Sequence, residues 1–158
     1  MTDSIKSTSE EKVESAVELI LNGYTCSEAV LMPYAKDCGL DMEVASKISG
    51  GFAGGMSLGK TCGAVTGAVM VLGLKYGPGE SKEQFDRDLC SQVTQEFFHR
   101  FAERRKTTVC GEILQNNGIN MENPEEMATL AEKGLCDKIV KDAAEIIEDI
   151  LADDKFKK

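Results

Sequence analysis

Apolar side chains recur three and four positions apart along most of this chain, a spacing typical of amphipathic α-helices. The first such stripe covers residues 9–22, where Thr8 and Glu11 have the spacing of a capping box. A second predicted helix begins after Thr25, and Glu28 stands at the matching capping position. The pattern therefore predicts two helices joined by a short turn at the start of the chain.

Helical spacing continues through the rest of the chain, and no segment alternates polar and apolar residues as a strand would. Further helices are predicted, with approximate limits, over residues 41–49, 62–76, 82–105, 107–114, 123–133 and 135–151. The sequence thus predicts an all-α protein, a compact helical bundle that forms a single domain over residues 1–158. Residues 1–8 and 153–158 are expected to fray.

A glycine-rich loop over residues 50–59 leads into the predicted central helix. Glycine in such a loop indicates close backbone approach or positive φ angles, which other residues rarely adopt. The helix from Cys62 onward is apolar nearly all round, so we expect it at the centre of the fold. Gly59, Gly63 and Gly67 recur every four residues and would let another helix approach closely.

The formal net charge of the 158-residue chain is −9 at pH 7. We expect no binding to nucleic acid or to anionic membranes, because both attract basic surfaces. No apolar run is long enough for membrane insertion, and residues 1–12 lack the apolar segment of a secretory signal. We therefore expect a cytoplasmic protein, whose six cysteines serve as thiols, metal ligands or redox groups rather than as structural disulfides.

Four of the six cysteines stand near predicted helix starts, each with apolar residues three or four positions later: Cys26, Cys62, Cys110 and Cys136. Residues at these offsets share a helix face, so the four thiols should point inward. Amide groups at a helix start stabilise negative charge, which favours a thiolate. Cys38 near a helix end and Cys90 within a long helix fit a structural role better.

The repeated setting of these four cysteines predicts a redox protein, either an oxidoreductase or an electron carrier. In one form, the four thiols bind an iron–sulfur cluster or another thiophilic metal. In the other form, two of them make a reversible disulfide and Cys62 is the attacking thiolate. A redox partner protein is then expected, and the small-residue helix also allows a homodimer. The alternative is a non-enzymatic structural or interaction module whose cysteines are buried core residues.

Gly54–Thr61 also matches the phosphate-loop pattern, a weaker alternative that predicts nucleotide binding through Gly59, Lys60 and Thr61. That motif requires a buried strand before the loop. Residues 45–51 carry no β-branched or aromatic run, so the sequence favours a turn without nucleotide chemistry.

The unit Cys62-Gly63-Ala64-Val65-Thr66-Gly67 stands among other characteristic segments, namely residues 22–30, 50–56, 61–68, 73–77, Cys110 and Cys136. This order resembles the C_GCAxxG_C_C family, whose members are described as redox-active proteins. The resemblance covers about residues 12–150. It implies a redox function, with the four family cysteines at Cys26, Cys62, Cys110 and Cys136. It also implies that Gly54–Thr61 belongs to the glycine-rich turn of the family.

Overall fold

A computed structural model describes the backbone of residues 2–158 and the side chains of residues 8–158. The described chain forms nine α-helices and no β-strand, which confirms the all-α prediction. They are α1 Thr2–Leu21, α2 Cys26–Ala35, α3 Met42–Gly50, α4 Gly63–Tyr76, α5 Gln84–Arg105, α6 Cys110–Asn116, α7 Pro124–Ala128, α8 Leu130–Lys133 and α9 Leu135–Ala152. None of these helices is long and apolar enough to span a bilayer.

Helix starts were predictable where a side chain caps the backbone. The Thr25 amide donates to the Glu28 carboxylate at 2.8 Å, which confirms the capping box of α2. The Asp41 carboxylate accepts from the Glu43 amide at 3.0 Å and so caps α3. Asn123 caps α7 in the same way.

Several boundaries differ from the sequence-based expectation. Helix α1 begins at Thr2, so Thr8 and Glu11 lie within the helix. The prediction that they form a capping box at its start is therefore wrong. The expectation of fraying over residues 1–8 includes Met1, which lies outside the described residues. At the other end, Asp154–Phe156 form a 3-10 turn, and the Phe156 ring is buried.

Helix α4 lies at the centre of the molecule, as its all-round apolar pattern predicts. It contacts α2, α5 and α9. Its fully buried side chains are Ala64, Val65, Ala68, Val71 and Leu72. Other helices surround most of α4 and leave only its last turn, with Lys75, exposed, which explains why its sequence lacks an amphipathic stripe.

Glycine lets α4 approach α2 at backbone distance. A Cβ atom placed on Gly67 would lie 2.7 Å from the Ser27 carbonyl oxygen and 3.2 Å from the Ser27 Cα. Because both are backbone atoms of the facing helix, no side-chain rotation could relieve the overlap. The predicted packing role of the glycine series is therefore correct at Gly67, whereas Gly59 lies outside the helix.

We predict opposite effects on stability for two glycine substitutions within α4. Gly67→Ala should lower the free energy of unfolding by about 1–3 kcal/mol, because α2 must move away. Gly73→Ala, with no atom within 4 Å of the new methyl, should raise it by roughly 0.5–1 kcal/mol through the better helix propensity of alanine. Urea unfolding of the reduced proteins measures both values, and equal stability of the two variants would contradict the packing role of Gly67.

Candidate functional site

The four cysteines singled out in the sequence lie at the starts of four different helices. Cys26 is the first residue of α2, and Cys110 is the first residue of α6. Cys62 is the N-cap of α4, which begins at Gly63, one residue later than the predicted start at Cys62. Cys136 lies in the first turn of α9. All six cysteines of the chain are free thiols in this structure.

A short backbone bridge holds the segment of Cys62 beside the segment of Cys110. The Cys62 amide donates to the Thr108 carbonyl at 2.8 Å, and the Cys110 amide donates to the Lys60 carbonyl at 2.6 Å. Thr61 and Val109 form the antiparallel bridge between these bonds. Cys62 and Cys110 each follow directly after a bridged residue, so the bridge holds the starts of α4 and α6 beside each other.

The thiol of Cys26 lies against the first residue of α4. A Cβ atom placed on Gly63 would lie only 2.3 Å from the Cys26 Sγ, and 3.3 Å from both the Phe52 carbonyl oxygen and the Ala53 Cα. The residue directly after Cys62 must therefore lack a side chain if Cys26 is to occupy this position. This contact gives a physical reason for glycine in the Cys62-Gly63 pair.

Burial raises the pKa of three of these thiols. The pKa rises to about 12 at Cys62, to about 11 at Cys110 and to about 12 at Cys136. Amides of Ala64 and Val65 at the start of α4 lower the pKa of Cys62, but desolvation outweighs them. Burial of Cys62 therefore opposes the thiolate that its position at a helix start favours.

The same pKa shifts reveal which thiols influence one another. After burial, negative charge on Cys26 and Cys110 raises the pKa of both Cys62 and Cys136. Charge on Cys26 also raises the pKa of Cys110. Such coupling requires proximity, because the interaction between charges weakens with distance. The structure thus brings the four thiols into one electrostatically coupled group.

Cys38 and Cys90 occupy different settings. Cys38 ends the 3-10 turn Lys36–Cys38 that follows α2, and Cys90 lies within α5. Both are half-buried. Their structural role remains a prediction.

The ligand arrangement limits the kind of metal centre that these residues can form. Over residues 8–158, no three or more cysteine, histidine, aspartate or glutamate side chains are grouped so that they could hold a metal ion. The coupled thiols are therefore not preorganised around a single ion.

The phosphate-binding residues of the weaker alternative are Gly59, Lys60 and Thr61. In the structure they lead into the backbone bridge, in which Thr61 pairs with Val109. Gly59 has φ +67°, and a Cβ atom on it would lie 3.6 Å from the Gly111 Cα. The loop follows α3, and no strand precedes it within the described chain. The context that a phosphate loop requires is thus missing, while the same loop has a clear role in joining the Cys62 and Cys110 segments.

Residues 54–57 form a left-handed turn before this bridge. Their φ angles are +64°, +62°, +59° and +58°, and two of them, Met56 and Ser57, are not glycine. The glycine content of the loop predicts positive φ angles, but nothing in the sequence indicates that Met56 and Ser57 adopt them. The bridging residue Val109 also has no sequence signature, because an isolated bridge has no periodic pattern.

A comparison with protein families supplies the relationship of this chain to known proteins. The model of one family, described as "Putative redox-active protein (C_GCAxxG_C_C)", matches residues 24–150. The chain belongs to the C_GCAxxG_C_C family. No curated protein and no solved structure matches it. Membership confirms the resemblance drawn from the sequence, and the four coupled cysteines of this C_GCAxxG_C_C protein all lie within the matched residues.

We predict that Cys62 makes the stability of the protein sensitive to alkaline pH. Its pKa is raised from the ordinary value of 9.0 to about 12 in the folded state, so folding retains a proton that the unfolded thiol loses. The resulting stabilisation is complete below pH 9 and is lost as the pH rises towards about 12. Urea unfolding with reductant between about pH 8 and pH 11 should show a shallower decline for Cys62→Ala than for the parent. Identical slopes would contradict the burial of a protonated thiol.

Proposed function

We propose that this protein is a thiol-based oxidoreductase in which Cys26 and Cys62 form a reversible disulfide. The observation that carries the proposal is the position of the Cys26 Sγ against Gly63, directly beside Cys62. Among the charges that raise the pKa of Cys62, that of Cys26 has the largest effect. The family description as redox-active supports the same class of function.

The two thiols differ in their access to a partner. Cys62 is 5% exposed, whereas Cys26 is only half-buried. The Cys26 thiolate would attack one sulfur of a partner disulfide and release the other as a thiolate, which gives a mixed disulfide. Cys62 would then transfer its proton to the thiolate released from the partner and attack the Cys26 Sγ, which displaces the second partner sulfur as a thiolate. Two electrons pass to the partner, and the protein retains the Cys26–Cys62 disulfide.

The environment of the pair favours a reducing role. Strongly oxidising dithiols owe their potential to a stabilised thiolate, which lowers the free energy of the reduced state. At Cys62, burial and the neighbouring thiols act in the opposite direction and destabilise the thiolate. The reduced form therefore gains little from ionisation of Cys62, and the pair should give up electrons readily.

Coupling of four thiols rather than two favours a second candidate, an iron–sulfur cluster held by Cys26, Cys62, Cys110 and Cys136. A cationic centre would offset the repulsion that raises their pKa values and would displace their protons. Iron and sulfide analysis after anaerobic purification distinguishes the candidates. Stoichiometric iron and sulfide that is lost in Cys136→Ala would favour the cluster, because the dithiol reaction does not require Cys136.

We predict a specific disulfide after mild oxidation. Oxidised protein, alkylated and digested with trypsin, should yield residues 13–36 linked to residues 61–75, the two peptides that contain Cys26 and Cys62. The linked pair should be absent in Cys62→Ala, whereas the control Cys90→Ala should form it as the parent does. Six alkylated thiols after oxidation, or a main product that links other cysteines, would contradict the proposed pair.

A further inference from the structure

A groove of about 680 Å³ lies between the glycine-rich turn and α6. Val109, Ile119 and Met121 line it, and Ile119 is almost completely buried. Leu58 stands at its edge with 73% of its surface exposed. The groove therefore combines these apolar side chains with polar ones, among them Gln115 and Asn120. Exposed apolar surface rimmed by polar residues is typical of a surface that binds another molecule.

The backbone holds Leu58 in this exposed position at a cost. Met56 and Ser57 directly before it adopt the left-handed conformation, which is unfavourable for residues other than glycine. The Lys60 amide donates to the Gly55 carbonyl at 3.0 Å and closes the turn. Strained backbone of this kind is concentrated at functional sites, because stability alone does not favour it. The strained turn is the element that holds Leu58 exposed beside the groove.

The charge of the groove indicates the chemistry of its occupant. Glu112 and Glu122 line it, and its lining contains no lysine or arginine. Neither carboxylate forms an ion pair with another residue of the described chain; Glu112 accepts a hydrogen bond from the Thr107 hydroxyl. The chain as a whole carries a net charge of −9, so a second copy would be repelled and a basic partner attracted.

We propose that this groove docks a basic, apolar segment of a partner protein. Apolar side chains of the segment would pack against Leu58 and Met121, and its lysine or arginine side chains would meet Glu112 and Glu122. Gly59 and Val109 line the groove and adjoin the backbone bridge to Cys62, so the docked segment would lie close to the coupled thiols. Docking itself uses none of the thiols.

Binding of short peptides to the fully reduced full-length protein tests this surface. The probe is a fluorescent, N-acetylated eight-residue peptide of alternating leucine and lysine, and the comparison peptide has glutamate in place of lysine. Fluorescence anisotropy should detect binding of the lysine peptide alone. Glu112→Gln with Glu122→Gln should weaken it by about tenfold, a loss of about 1.4 kcal/mol.

An aspartate at position 58 separates apolar contact from general charge attraction. Leu58→Asp adds negative charge and would strengthen a purely electrostatic association, yet we expect a loss of about tenfold or more. Phe85→Asp is the matched control, because Phe85 is 68% exposed at the start of α5 and does not line the groove. Glu14→Gln with Glu18→Gln is the control for charge. Both controls should bind as the parent does.

Two results would overturn the docking proposal. One is peptide binding that survives Leu58→Asp or falls equally in the control variants, since the peptide then responds only to net charge. The other is a dimer in sedimentation that Leu58→Asp dissociates, since the occupant is then a second copy. The probe contains no cysteine, so failure of the disulfide chemistry would leave this result unchanged.

Discussion

Helix α4 can lie directly against the segments around it because glycine stands at its contact positions. Gly67 admits the backbone of Ser27, and Gly63 admits the thiol of Cys26. Any larger residue would push α2 outward and would separate Cys26 from Cys62. The close packing that builds the core therefore also sets the geometry of the thiols, and fold and candidate function depend on the same contact.

Burial then decides the chemistry that this geometry allows. A helix start alone would favour thiolates. Desolvation outweighs that effect at Cys62, and burial also raises the pKa of Cys110 and Cys136. Negative charge on Cys26 raises the pKa of all three thiols further. The reduced thiols of Cys62, Cys110 and Cys136 therefore remain protonated at neutral pH. Disulfide formation removes the ionisable groups altogether, which is why we place a reducing dithiol ahead of a stabilised thiolate as the working state.

Much of the fold could be predicted from local sequence signals. Asp41 is a side-chain cap read directly from the chain, and the all-round apolar pattern of α4 identified the central helix. Local signals failed where a residue's surroundings come from distant segments. Phe85, for example, is an apolar residue at the start of α5 but remains 68% exposed.

The candidate site could likewise be predicted only in part from local sequence signals. Position at helix starts was sufficient to select Cys26, Cys62, Cys110 and Cys136, and the family match places them within a redox-active family. The pKa of Cys62 could not be predicted, since burial is a tertiary property. Gly54–Thr61 matches a phosphate loop in its residues, yet its structural context is a left-handed turn followed by a bridge to Val109.

The reduction potential of the Cys26–Cys62 pair tests the account most directly. Anaerobic equilibration in buffers of reduced and oxidised glutathione, and of reduced and oxidised dithiothreitol for lower potentials, precedes acid quenching, alkylation and mass measurement. The masses give the fraction of disulfide at each potential. The account predicts a single two-electron transition below about −200 mV, in the range of reducing dithiols. A potential of about −120 mV, which is typical of the most oxidising dithiols, would contradict the account. The absence of any two-electron transition would contradict it as well.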